Sequence, residues 1–234
     1  QRHKGNLFSF TPYSAAAGGL FVSKNSQVKT LEDLEDRKVG IAGGSLDKSW
    51  LLFRAYCLKR LKKDPLNYFK SSFAAPPLIN GLLINNELDA GFNYWNYAAV
   101  LKSKGYKEVI GIKEILPELG IKTELPLIGY VFRDKYEKEN KEQLSNFIKA
   151  SEEARLILDT SDEEWERIRK LTGAKSNQML LSFRDEFRKG IPKSKHESMN
   201  NSIEIAYEVL AGIGGKKLVG EQNKLADGTL WKGN

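Results

Sequence analysis

Gly40-Ile41-Ala42-Gly43-Gly44-Ser45-Leu46-Asp47-Lys48-Ser49-Trp50 runs from a strand through a glycine turn into a helix. Asp89-Ala90-Gly91-Phe92-Asn93-Tyr94-Trp95 repeats the theme with a strand that ends in aromatics and an amide. Ligands of open parallel sheets sit just beyond the carboxyl ends of the strands. These two turns therefore put backbone donors, flat rings and an amide where a small molecule would be held.

Outward from that stretch the chain reads as a series of β/α units. Residues 38–42 form a strand and 46–62 a helix; 68–74 a strand and 77–86 a helix with Pro77 in its first turn. Residues 89–93 form a strand, 97–104 a helix closed by Gly105, and 107–112 another strand. Units of this length predict a parallel sheet with right-handed crossovers. Upstream, residues 6–11 alternate like a strand that stops at Pro12-Tyr13-Ser14, and Ala15-Ala16-Ala17-Gly18-Gly19 leads into the apolar Leu20-Phe21-Val22. Thr30, with an acid three residues on, marks a short helix.

Beyond residue 112 the pattern changes. Residues 125–132 read as one more strand, and nearly everything after is helical. Leu144, Phe147, Ile148, Ser151, Arg155 and Leu158 recur at helical spacing; Ser161 with Glu164 makes a capping box, Gly173 ends that segment, and Ser176 caps the next. A last long helix covers residues 195–211. Helices with apolar stripes need a surface to pack on, and the strands of residues 38–112 already have helices of their own. Two strands, 6–11 and 125–132, make too small a sheet to receive the rest. The expectation is a two-lobed α/β molecule whose first lobe is incomplete, lacking on the order of 60 residues of opening β/α units, with a helical C-terminal part.

Composition agrees with a globular chain: 234 residues, 41% apolar and 10% aromatic. Lys+Arg outnumber Asp+Glu by 37 to 30, a formal net charge of +7. The charges are scattered, and stretches such as Asp162-Glu163-Glu164-Trp165-Glu166-Arg167 interleave both signs, so a solvated surface is expected rather than a nucleic-acid interface. The single cysteine, Cys57, excludes an internal disulfide and lies in an apolar helical run, which points to packing. His3 and His196 are not in metal-ligand spacing. No run approaches the roughly 18 apolar residues of a membrane span. The chain starts at Gln1 without Met, so a signal peptide is expected in a segment upstream.

Together, Pro12-Tyr13-Ser14, Gly18-Gly19-Leu20-Phe21-Val22, Leu31-Glu32-Asp33-Leu34, Val39-Gly40-Ile41-Ala42-Gly43-Gly44, Leu46-Asp47-Lys48-Ser49-Trp50 and Gly91-Phe92-Asn93-Tyr94-Trp95 resemble substrate-binding proteins of ABC importers of the nitrate/sulfonate/taurine group, which includes pyrimidine-precursor binders. The late Leu125-Pro126-Leu127-Ile128-Gly129-Tyr130 and Gly228-Thr229-Leu230-Trp231 extend the resemblance to the end of the chain. It implies a periplasmic-binding-protein fold of the two-crossover type, with lobe 1 formed by residues 1–22 and 129–234 and lobe 2 by residues 23–128. It also implies a monomeric, periplasmic or otherwise extracytoplasmic protein that passes a small-molecule ligand to ABC importer membrane subunits, without a cofactor. The family's first strand and helix are not in this chain, so their ligand contacts are not carried over. Hinge residues are expected at Gly18, Gly19 and Gly129, either absorbing dihedral change or serving tight turns.

The chemistry of the expected cleft follows residue by residue. Gly43 and Gly44 admit close backbone approach, and Ser45 opens a helix whose N-terminus could receive a carboxylate or sulfonate. Asp47 either favours the helix dipole or faces the ligand and pairs with an amine, with Lys48 beside it. Trp50, Tyr94 and Trp95 offer faces for stacking, with Tyr13 contributed by the other lobe; Trp50 and Trp95 equally suit core anchors. Asn93 and Asn96 can donate and accept at once, and Pro76 belongs to the rim. An enzyme of the same fold, a pyrimidine-precursor synthase or a lyase, is the competing class. These candidates, however, hold no His or Cys and one acid, so catalytic groups would have to come from the absent N-terminal segment. A regulator's sensing domain finds no helix-turn-helix support.

Overall fold

The computed structural model describes residues 4–5, 7–194 and 196–232; His3 and the side chain of His196 lie outside that set. The chain divides into two compact units, one of Gln1–Ala16, Thr123–Glu204 and Lys224–Asn234, the other of Ala17–Lys122 and Ile205–Asn223. In chain order the elements begin with β1 (Phe8–Ser14), β2 (Gly19–Val22), β3 (Lys38–Ala42), α1 (Lys48–Arg60) and α2 (Pro65–Tyr68). β4 (Lys70–Ala74), α3 (Pro76–Ile84), β5 (Ala90–Asn93), α4 (Trp95–Ser103), β6 (Lys107–Gly111) and α5 (Ile112–Ile115) follow. The remainder is β7 (Ile128–Arg133), α6 (Asp134–Glu139), α7 (Lys141–Thr160), α8 (Asp162–Arg167), α9 (Arg169–Thr172), α10 (Asn177–Lys189) and α11 (His196–Val219).

The second unit is built on a five-stranded sheet of order β4-β3-β5-β2-β6. β3 pairs parallel with β4 and β5, as the β/α series predicts, but β2 lies antiparallel between β5 and β6. This corrects one expectation, since the sheet is mixed and not all parallel; Gly19–Val22 lies in the second unit. The reason is in the residues, since Leu20, Phe21 and Val22 are 0% exposed and an apolar run buried on both faces suits a central strand. Phe21 anchors a cluster with Leu83, Ala98 and Leu101. Each buried Leu or Phe of this cluster contributes about 1.5–3 kcal/mol.

Glycine shapes this sheet by what it lacks. Gly40 and Gly91 are register partners on β3 and β5. A Cβ on Gly40 would fall 2.4 Å from Leu88 and 2.9 Å from Ile79, and one on Gly91 would fall 3.1 Å from Leu83 and 3.2 Å from Ile79. The paired glycines give α3 a flat floor on which Ile79 and Leu83 lie fully buried. Cys57 is buried in α1, where desolvation pushes its thiol pKa up, as packing rather than chemistry requires. The expected Thr30 cap is reversed: Asp33 Oδ2 accepts from the Lys29 and Thr30 N–H groups, ahead of a single 3-10 turn at Glu32–Leu34.

The first unit has a two-stranded antiparallel sheet, β1 with β7, in register from Phe8↔Arg133 to Ser14↔Ile128 with an irregularity between Pro12 and Ser14. The chain's end joins it: Phe10 N–H donates to Thr229 O, Trp231 N–H to Phe10 O, and Trp231 Nε1–H to Glu137 Oε1. Ser161 and Ser176 cap α8 and α10 as read from the sequence, and Gly173 closes α9 at φ 70°. α7, in contrast, buries only Leu144 of its apolar stripe, while Phe147 and Ile157 are 50% exposed and Leu156 is 62% exposed. The last helix is longer than expected, and its backbone leaves helical geometry at Gly215 (φ 58°, ψ −158°). No helix among the described residues is long and apolar enough to cross a membrane.

Candidate functional site

β3, β4 and β5 end level with one another, Ala42 opposite Ala74 and Ile41 opposite Phe92, so the segments that follow them share one edge of the sheet. Three hydrogen bonds tie these segments together. Gly43 N–H donates to Ala74 O at 2.9 Å, Asn93 Nδ2–H to Pro76 O at 2.8 Å, and Tyr94 Oη–H to Asp47 Oδ2 at 3.0 Å. The edge is thus a braced platform rather than three independent loops.

Several sequence-predicted contacts turn out to be the bracing. Asp47 is the N-cap of α1: its Oδ1 accepts from Ser49 and Trp50 N–H, while Oδ2 is taken by Tyr94. The carboxylate therefore satisfies the orphan donors that the sequence offered to a ligand oxyanion. Asn93 is 0% exposed and its amide is fully engaged, with Nδ2 donating to Pro76 O and Asn80 Oδ1 and Oδ1 accepting from Tyr94 N–H. Trp50 is also 0% exposed, its ring 5.7 Å from Phe73, 5.9 Å from Phe53 and 6.4 Å from Phe92. Its ring lies on the buried face of α1, and its indole N–H is buried without a hydrogen-bond partner.

Gly43 has φ 86°, and a Cβ there would sit 2.4 Å from Tyr94 Oη, so this glycine makes room for the Tyr94–Asp47 bond. Gly18, Gly19 and Gly129 are not in the left-handed region; their smallness serves close approach. Gly18 packs on the Asn93 carbonyl and Gly129 on Phe10 and Thr11 O.

What the edge leaves accessible is different from what the sequence emphasised. Gly44, Ser45, Leu46 and Lys48 are exposed, Pro76, Tyr94, Trp95 and Asn96 half-buried. Phe73 and Leu78 are exposed as well, at 36% and 53%, and neither was singled out. Large apolar residues in the first turns after strands are the signal that could have found Leu46 and Leu78. The N-termini also differ: α1 is capped by Asp47, α3 begins Pro76-Pro77 and lacks those N–H groups, and α4 carries no side-chain cap. α4 thus opens with neither a proline nor a side-chain cap.

The Tyr94 hydroxyl has its pKa pushed up to about 12, by burial first, then by the Asp47 charge and the hydrogen bond to it. A raised phenol pKa contributes stability that is complete below the ordinary value near 10 and is lost as pH rises from about 10 to about 12. Asp47→Asn should bring the Tyr94 transition back toward 10, seen as an earlier step in phenolate absorbance at 295 nm. Asn caps a helix about as well as Asp, so the α1 cap itself should be little changed in urea unfolding. An unchanged phenolate titration would refute the coupling.

Tyr13 belongs to the first unit. Its ring lies 5.2 Å from Tyr130, which meets Phe147 at 4.8 Å and hydrogen-bonds Ser151 Oγ at 2.7 Å through its hydroxyl. Burial, reinforced by Tyr130 and opposed by Arg155, raises the Tyr13 pKa. Arg155, which sequence periodicity had assigned to an apolar stripe, stacks over the Tyr13 ring at 5.3 Å. A separate cavity of about 270 Å3 in this unit is lined by Trp165, Leu180, Leu181, Arg184 and three carboxylates, none of them a predicted site residue.

This arrangement, helices on a mixed sheet with segments converging beyond parallel strand ends, is that of periplasmic-binding-protein-like α/β folds. The chain belongs to the NMT1/THI5-like family, which matches residues 11–158. No curated protein matches it. Among solved structures, the periplasmic aliphatic sulphonate binding protein SsuA from Escherichia coli is similar at 16% identity and TM-score 0.69, covering 98% of this chain and 71% of that one. The alkanesulfonate-binding protein SsuA from Xanthomonas axonopodis pv. citri, bound to MOPS, is similar at 11% identity and TM-score 0.66, covering 97% and 73%. The desulfurization enzyme DSZB shares the fold at 13% identity and TM-score 0.54, covering 96% and 77%. At these identities the likeness is one of fold, and that fold carries both binding proteins and an enzyme.

Proposed function

We propose that this chain is the solute-binding component of an ABC importer, holding a small nitrogen-containing or sulfonate-like organic molecule without chemical change. In this role it works outside the cytoplasm and passes its solute to membrane subunits. The observation that carries the proposal is the braced edge after β3, β4 and β5. There Gly44, Ser45 and Asn96 supply polar contacts, and Leu46, Leu78 and Trp95 supply apolar and aromatic surface. The uncapped first turn of α4 is the seat for an acidic group on the solute. Two solved structures of this fold are described as sulfonate-binding proteins, which favours that solute class.

An enzyme would need a nucleophile with a base, or paired acids, at this edge. Its one acid, Asp47, is committed to capping α1 and to Tyr94, which favours binding over catalysis. Native mass spectrometry of the protein purified from its host should show one retained small molecule, recovered unchanged. Trp95→Ala should then raise the Kd for that molecule at least tenfold in calorimetry, the loss of one stacking face being worth about 1.4 kcal/mol or more. Conversion of the molecule on incubation would overturn the proposal in favour of an enzyme.

A further inference from the structure

The first unit contains a half-buried cation whose chain-supplied partners do not match its charge. Arg155 extends from α7 to the end of β1, where Nη1–H donates to Tyr13 O at 2.6 Å. Its nearest carboxylate oxygen, Glu152 Oε1, stands 3.9 Å from Nη2, beyond hydrogen-bond reach, on a side chain 49% exposed. The Arg155 side chain itself is 15% exposed, and its Nε is buried with no hydrogen-bond partner. A guanidinium offers five donors, and a desolvated charge that lacks a close counter-ion is costly. Glu152, half in water, offsets little of that cost.

The surroundings are built rather than incidental. The Tyr13 ring faces the guanidinium, Tyr130 and Phe147 continue the aromatic row, and Ser151, one turn before Arg155 on α7, holds the Tyr130 hydroxyl. Aromatic faces hold the cation in place without neutralising it. Arg155 meets β1 where its pairing with β7 is irregular, between Pro12 and Ser14, and the Tyr13 carbonyl is thereby turned to the guanidinium.

We propose that Arg155, framed by Tyr13 and Ser151, is the subsite for a small tetrahedral or planar oxyanion, a sulfate, sulfonate or carboxylate group, bound through the part of its guanidinium that remains exposed. The missing counter-charge is then supplied by the ligand, and the planar guanidinium suits the oxygens of such a group. The proposal concerns the first unit alone and does not depend on an import role.

The test uses the whole chain labelled with 15N-arginine and titrated with sodium sulfate against sodium chloride at matched ionic strength. The Nε–H resonance that disappears in Arg155→Lys identifies the probe. A saturable sulfate-specific shift of that resonance is expected, and Arg155→Gln should weaken sulfate binding at least tenfold while its circular dichroism matches the parent. Should Arg155→Gln fail to fold, Ser151→Ala, which leaves the guanidinium, should still weaken sulfate severalfold. A shift that is linear, or equal with chloride, overturns the proposal, and so does undiminished sulfate binding in the variants.

Discussion

Trp50→Ala lowers the stability of the chain by about 3–5 kcal/mol, the expected cost of removing a fully buried indole from a packed core. The ring has no exposed surface and touches Phe53, Phe73 and Phe92, so the variant opens a cavity between α1 and the sheet. Urea unfolding measures it as a lower midpoint at unchanged slope. Trp50→Phe, which keeps most of the apolar volume, should lose less than half as much. A Trp50→Ala protein as stable as the parent would place this ring outside the core and restore it as a ligand-facing residue.

Gly18→Ala is expected to be nearly as damaging, at about 3 kcal/mol or more, through overpacking against backbone that cannot yield. Its Cβ would come 1.7 Å from Asn93 O, 2.7 Å from Asn93 C and 2.8 Å from Tyr94 Cα. The displaced atoms lie at the end of β5, so the Asn93–Pro76 and Tyr94–Asp47 bonds are disturbed together. Gly44→Ala is the control: a Cβ there meets nothing within 4 Å, and its stability should stay within about 0.5 kcal/mol of the parent. Equal stability of the two variants would show that Gly18 is not a close-packed joint.

These two positions also show how far the sequence could be read. The β/α series over residues 38–112 is legible because each strand ends in glycine, proline or an aromatic turn, and because the helices announce themselves by caps and period. The antiparallel insertion of β2 is not, since Leu20-Phe21-Val22 is equally apolar in any central position and only its partners on β5 and β6 fix its direction. At the site, the converging segments follow from strand order, but the roles of individual side chains do not. Asp47, Asn93 and Trp50 carry the residue types a ligand would want, and each is consumed internally by a neighbour far off in sequence, Tyr94, Asn80 and Phe92 respectively. Arg155 hid within helical periodicity because a stripe position records which face a residue lies on, not whether its charge finds a partner.

The account rests on solute being held where β3, β4 and β5 end. The most direct measurement is amide hydrogen exchange on the protein stripped of its co-purified small molecule, before and after that molecule is returned. Protection should concentrate in residues 43–48, 76–80 and 93–97, with the strongest gain in the opening turn of α4. Protein that leaves its host with nothing bound, or protection that falls outside these three segments, would contradict it.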